Sequence, residues 1–235
     1  MLGAIAIIPS APVLVPELGG AAAAETADLR AAVLAAAAVL PPRWVVVGGG
    51  FSDGVFGPDC AGTFAGFGVD LQVGLSPESR LAAQPTELPL CGLVAGWVRG
   101  EVNPEARVQV RTYAPQQSGA AALAAGRCLR DELDQTSDVI GVVVVADGMN
   151  TLTPSAPGGY RPEELSVQGA LDDALACGDI APLTQLSEHV TGRVAFQVLA
   201  GLVATTPQST QQLYRGSPYG VGYFVGMWTI GMWTK

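Results

Sequence analysis

Gly50-Phe51-Ser52-Asp53-Gly54 carries the spacing GxSxG. In a nucleophile elbow, that spacing lets a sharp strand-to-helix turn lift a serine hydroxyl above a sheet. Asp147 and His189 follow in the chain order Ser, Asp, His. Ser52, Asp147 and His189 are therefore one candidate set for acyl transfer, provided the serine and histidine come within hydrogen-bond reach. The local pattern argues against it. An elbow needs a helix directly after its serine, and residues 55–68 read as loop. His189 reads as the start of a helix with Ser187 as its N-cap, not as part of a loop after a strand.

His189 is the single histidine of the chain. Histidine is the usual acid/base near neutral pH and the commonest metal ligand. One copy excludes a three-histidine zinc site, a two-histidine iron site and an HExxH site within one chain. The four cysteines, Cys60, Cys91, Cys128 and Cys177, are too far apart for a CxxC motif. They read as buried, inert thiols. Gly48-Gly49-Gly50 follows an apolar run but lacks the third glycine of GxGxxG, and no GK[ST] occurs, so a flexible turn is the plainer reading.

The composition is that of a folding chain: 49% hydrophobic and 14% charged over 235 residues. The net charge of -9 argues against nucleic acid or an anionic membrane surface as partner. No uncharged run is long and continuous enough for a membrane helix. The apolar start, residues 1–16, lacks a basic segment and is interrupted by Pro9, Pro12 and Pro16, unlike a signal peptide. A soluble, cytoplasmic protein with reduced thiols is expected.

These residues need a scaffold, and the apolar periodicity supplies one. Strands are expected over Leu2–Ile8, Trp44–Val47, Val69–Leu75, Arg107–Tyr113, Val139–Val145 and Tyr219–Trp228. Helices are expected over Glu25–Leu40, Leu88–Gly100, Gly119–Gln135, Ser166–Cys177, Ile180–Gln185 and Ser187–Thr205. Ser10–Gly20, Gly54–Gly68 and Asp147–Glu163 read as loops. The unbroken VIGVVVV run at 139–145 implies a strand buried on both faces. The alternation predicts one α/β domain over residues 1–235, a three-layer α/β/α sandwich on a mostly parallel sheet. Ligands in such folds bind beyond the carboxyl ends of the strands, here at loops 9–20, 48–54 and 146–159. Met227, Trp228, Met232 and Trp233 suggest core packing at the last strand, with a subunit interface as the alternative.

The chain resembles the catalytic subunits of class III extradiol ring-cleavage dioxygenases and their MEMO-like relatives. The resemblance is carried by Pro9-Ser10-Ala11-Pro12-Val13-Leu14-Val15-Pro16-Glu17 after the first strand. It continues in Ala146-Asp147-Gly148-Met149-Asn150 after VIGVVVV, the Pro154–Pro162 segment and the Gly178-Asp179 step. It ends in Tyr214-Arg215-Gly216-Ser217-Pro218-Tyr219-Gly220-Val221-Gly222-Tyr223. It covers about the first 55 and the last 95 residues. It implies a three-layer fold with Fe(II) held by two histidines and a glutamate, and a third histidine as acid/base. Those positions fall here on Ser10, near Gly50, on or near Val190, and on Asn150.

A hydroxyl, a glycine, a valine and an amide do not make an oxygen-activating iron site. The resemblance therefore implies a degenerate dioxygenase scaffold: no iron expected, ring cleavage lost, and a cleft that binds a small molecule or a protein partner. The alternative is an active metal enzyme with a site rebuilt from Asp53, Asp147, Glu188 and His189. Such a site would draw on another subunit if the protein is a homo-oligomer.

Overall fold

The computed structural model describes residues 1–81, 86–203 and 206–230. Nine strands are present among them: β1 (Leu2–Ile8), β2 (Arg43–Gly49), β3 (Gly54–Phe56), β4 (Ala61–Thr63), β5 (Gln72–Gly74), β6 (Arg107–Tyr113), β7 (Ile140–Val145), β8 (Ser209–Gly216) and β9 (Tyr223–Thr229). The helices are α1 (Pro16–Gly19), α2 (Ala27–Ala38), α3 (Leu90–Val102), α4 (Gly119–Asp134), α5 (Glu164–Cys177), α6 (Ile180–Leu183) and α7 (Arg193–Val203). Seven strands form one sheet in the order β3-β6-β2-β7-β1-β9-β8, and β4 pairs with β5 apart from it. The central four, β6-β2-β7-β1, are parallel. Antiparallel strands close both edges, β3 on one side and β9 with β8 on the other.

The two periods of the sequence explain the layers. Alternate residues of a strand point to opposite faces. Ile5, Ile7, Val142 and Val144 pack one way, under α4, α5 and α7. Ala6, Ile8, Val143 and Val145 pack the other way, under α2 and α3. β7 is buried at all six positions, as its unbroken apolar run requires. The fold is thus the three-layer α/β/α sandwich on a mostly parallel sheet. At fixed points side chains tie the layers: Trp228 donates its indole N–H to the Leu175 carbonyl at 2.8 Å. Ser118 caps α4 by accepting from the Ala121 N–H at 3.2 Å. Gly178, with φ of 70°, ends α5 in the left-handed conformation that favours glycine.

Several expectations are corrected. Residues 54–68 are not plain loop: β3, β4 and a 3-10 turn over Phe64–Phe67 lie there. The Ser10–Gly20 segment holds a 3-10 turn and the short α1. The strand expected over 69–75 shrinks to β5, and the last strand begins at Tyr223, not Tyr219. β8 has no counterpart in the sequence pattern; it is an edge strand whose residues are half-buried or exposed, so it has no apolar run to betray it. The helix expected over Ser187–Thr205 starts only at Arg193; residues 187–192 form turns, and residues 204–205 lie outside the described residues. Of the cysteines, only Cys91 is buried; Cys60 is half-buried, and Cys128 and Cys177 are exposed. Met227 and Trp228 belong to β9, whereas Met232 and Trp233 lie outside the described residues.

Candidate functional site

The carboxyl ends of β1, β2, β6 and β7 meet the N-terminal turn of α7 around a cavity of about 510 Å³. Its lining includes Ser10, Gly49, Tyr113, Asp147, Glu188 and Val190. This is the place where parallel α/β sheets hold ligands. Backbone bonds fix the geometry. The Gly192 N–H donates to the Asp147 carbonyl at 2.8 Å, and the Thr191 N–H to the Gly148 carbonyl at 3.1 Å. A Cβ on Gly192 would lie 2.6 Å from Ala146 Cβ and 2.7 Å from the Asp147 carbonyl oxygen. Only glycine lets the start of α7 approach the end of β7 this closely.

Asp147 is the chemically distinctive group of the cavity. Its Oδ1 accepts the Ser10 backbone N–H at 2.8 Å. No other hydrogen bond to its carboxylate, and no ion pair, is made among the described residues. Burial pushes its carboxyl up to about 6, and the Ser10 N–H offsets this only in part. Nearby, burial also raises Tyr223, with the Asp147 charge as a further cause. Tyr113 is raised too, first by burial. Arg193 lines the same cavity, but its guanidinium is committed to the rim. It donates to Gln197 Oε1 at 3.0 Å and to the carbonyls of Pro115 at 2.9 Å and Gln117 at 3.0 Å.

The other candidates separate. Ser52 and Asp53 are exposed and line a neighbouring groove with Gly50. β3 begins two residues after Ser52, so a strand and not a helix follows it and there is no strand-to-helix elbow. Asp53 accepts from the Ala114 N–H and the Gln117 amide, each at 2.8 Å, and so braces the loop after β6. A Cβ on Gly50 would meet Thr112 Cβ at 2.8 Å, so the tight packing there has no room for a larger side chain. The Asn150 backbone carbonyl accepts from Gly158 at 2.9 Å within the loop after β7, and Asn150 is not part of the cavity lining.

His189 turns away as well. Its Nδ1 lies 2.6 Å from Glu164 Oε1, and its side chain is 58% exposed. Glu164 is buried, accepts the Thr151 hydroxyl, and has the Arg161 guanidinium at 3.3 Å. Those bonds hold its carboxyl below the usual range, the Thr151 hydroxyl first. Ser187 does accept the His189 N–H, at 3.3 Å, but it caps a turn and not a helix. Ser52, Asp147 and His189 are not joined to one another by any hydrogen bond among the described residues. The structure brings Ser10, Asp147, Glu188 and Val190 together, and leaves Ser52, Asp53, Asn150 and His189 outside.

The ferrous iron implied by the resemblance does not fit this donor set. Gly50 offers no side-chain donor, Val190 offers hydrocarbon, and Ser10 and Asn150 are neutral oxygens. Among the described residues, no group of three or more His, Cys, Asp or Glu side chains converges on a point. Nor is any helix among them long and apolar enough to cross a membrane.

Three participants escape the sequence pattern. Tyr113 ends a correctly placed strand, and its position at a carboxyl end is the signal that could have found it. Arg193 is hidden inside an over-long expected helix. Glu164 gives no signal.

No family model matches the chain. No curated protein matches it either. Among solved structures it is similar to the crystal structure of uncharacterized protein JW3007 from Escherichia coli K12, with a TM-score of 0.59 at 14% identity. The match covers 97% of this chain and 100% of that one. The likeness places the chain in one fold with that protein and carries no activity.

Proposed function

We propose that this protein is an extradiol-dioxygenase-like scaffold that has lost the ferrous-iron site and ring cleavage, and that keeps its cleft to bind a small molecule. The resemblance supplies the positions, and one observation carries the reading. The cavity beyond the parallel strands persists at about 510 Å³, within the range of ligand sites, while the residues at the ligand positions cannot hold iron. Asn150 at the acid/base position cannot shuttle a proton near neutral pH.

A binding cleft is preferred to the two catalytic alternatives. A serine hydrolase needs Ser52 beside His189, and His189 is engaged with Glu164. A rebuilt metal site needs Asp53, Asp147, Glu188 and His189 at one point, and only Asp147 and Glu188 share the cavity.

Metal analysis of the purified protein, followed by assay with catechol after anaerobic addition of ferrous iron, tests the reading. The expected result is no stoichiometric iron and no ring cleavage. Iron bound one-to-one, with turnover of catechol, would overturn it.

A further inference from the structure

Asp147 presents an unusual combination. One carboxylate oxygen is fixed by the Ser10 N–H, while the other has no hydrogen-bond partner among the described residues. The side chain is enclosed enough for desolvation to dominate its chemistry, yet it opens onto the cavity. No cation among the described residues contributes to keeping it ionised. Arg193, the one cation lining the cavity among the described residues, points its guanidinium at rim carbonyls and Gln197. A second carboxylate, Glu188, lines the same space. The rest of the wall is mixed: Ser10, Gln116 and Thr191 contribute polar groups, and Leu90, Val145, Val190 and Val194 contribute hydrocarbon. A desolvated carboxylate without a counter-charge is costly, and a cation that arrives with a ligand removes that cost.

We propose that the cavity recognises a small primary amine with an apolar body, its ammonium group seated against the free oxygen of Asp147. This rests on reading the cavity as the surviving ligand cleft. The ammonium supplies the missing counter-charge and donates to Oδ2, while the apolar body lies on Leu90, Val190 and Val194. The charged and titratable groups around Asp147 are Tyr223 on β9, Tyr113 on β6, and Glu188 with Arg193 at the entry to α7. Both tyrosines have raised values and stay neutral in the working range, and the Asp147→Asn variant below separates the Asp147 carboxyl from Glu188, the other carboxylate of the cavity.

The test uses the full chain and benzylamine as probe, with benzyl alcohol and benzoate as matched controls, followed by NMR titration. At about pH 8, benzylamine is expected to saturate the cavity and both controls to bind more weakly. At about pH 5 the amine remains charged but Asp147 is mostly protonated, so affinity falls about tenfold. Asp147→Asn keeps an acceptor for the Ser10 N–H and abolishes the preference for the amine. Should that variant fail to fold, the carboxyl carbon of Asp147 in the wild-type protein gives a second readout. Saturating benzylamine lowers its titration midpoint, by reciprocity of binding and deprotonation. No saturable binding, preference for benzoate, or unchanged affinity in a folded Asp147→Asn variant would each overturn the proposal. Iron and catechol turnover would sink the non-catalytic reading by itself; the amine result depends only on Asp147.

Discussion

Two carboxylates on either side of one loop, Glu164 buried and Asp147 half-buried at the cavity, are treated in opposite ways. Glu164 is surrounded by a hydroxyl, an imidazole and a guanidinium, and its carboxyl is held below the usual range. Asp147 receives one backbone N–H, and its carboxyl is pushed up to about 6. A carboxylate with charged and polar partners on several sides is a fastening: it ties Thr151 and Arg161 of the loop to the His189 turn that leads into α7. A carboxylate left short of partners at the end of a central strand is, on the proposal made above, the group that meets a ligand. The contrast also accounts for the single histidine. His189 serves the fastening, and the cavity contains no histidine.

Breaking the scaffold shared by both sites should have the largest effect. Gly192→Val drives a side chain into Ala146 and the Asp147 carbonyl, and it should cost about 3 kcal/mol or prevent folding. Denaturant unfolding measures it. A variant as stable as wild type would mean that α7 is not held against β7 at this point.

Glu164→Ala comes next. It strands the Thr151 hydroxyl and the two nitrogenous partners, so thermal unfolding should fall by several degrees. The sign of its pH effect follows from the lowered value. Glu164 contributes stability above the ordinary carboxylate range, and that contribution is lost as pH falls through its folded value. The variant should lack that part of the acid limb.

Asp147→Asn should move stability the other way. The folded protein holds the Asp147 proton more tightly than the unfolded chain, about 6 against 3.8. Its contribution is therefore present below about pH 4 and lost as pH rises through about 6. At neutral pH the substitution should stabilise the fold by an amount on the order of 1–2 kcal/mol. Asp172, raised to about 6 chiefly by burial, acts in the same window, so the difference between wild type and variant isolates Asp147. A destabilised Asp147→Asn protein at neutral pH would erase the contrast between the two carboxylates.

Smaller effects sharpen it. His189→Asn removes one partner of Glu164 from an exposed position, and a drop of about 1 kcal/mol or less is expected with benzylamine binding unchanged. Lost amine binding would show that the fastening and the cavity are one unit. Ser52→Ala should change neither stability nor labelling by a serine-directed fluorophosphonate, because no labelling of the folded wild type is expected. Stoichiometric labelling at Ser52 would restore the hydrolase reading.

Much of the scaffold is legible in the amino-acid order alone. β1 and β6 have the bounds that their apolar runs predict, and α4 differs by one residue. Those segments carry their own signal, because one face or both faces meet the core. β3, β4 and β8 lack it. Each exists through pairing with a partner strand, and their glycine-rich or polar sequences bury little. The expected helix over 187–205 is too long because its first six residues are compatible with helix locally. What stops it is the approach of Gly192 to the end of β7, a contact between distant segments. The cleft is legible in part: Ser10 and Asp147 fall in loops at expected strand ends, while Val190 enters only through the resemblance. Glu164 is not, since its partners at 151 and 189 lie on other segments.

The residues alone determined which donors exist: one histidine, no paired cysteines, and neutral or apolar side chains at the positions where the resemblance places iron ligands. They also determined the layered fold, through periodicities that act over a few residues. Only the tertiary structure decided which carboxylate is satisfied and which is left open. Hydrogen-bond partners and desolvation come from segments far apart in the chain, 137 residues in the case of Ser10 and Asp147. Local sequence places a carboxylate at the end of a strand; the packing of the rest sets what surrounds it, and hence its proton affinity.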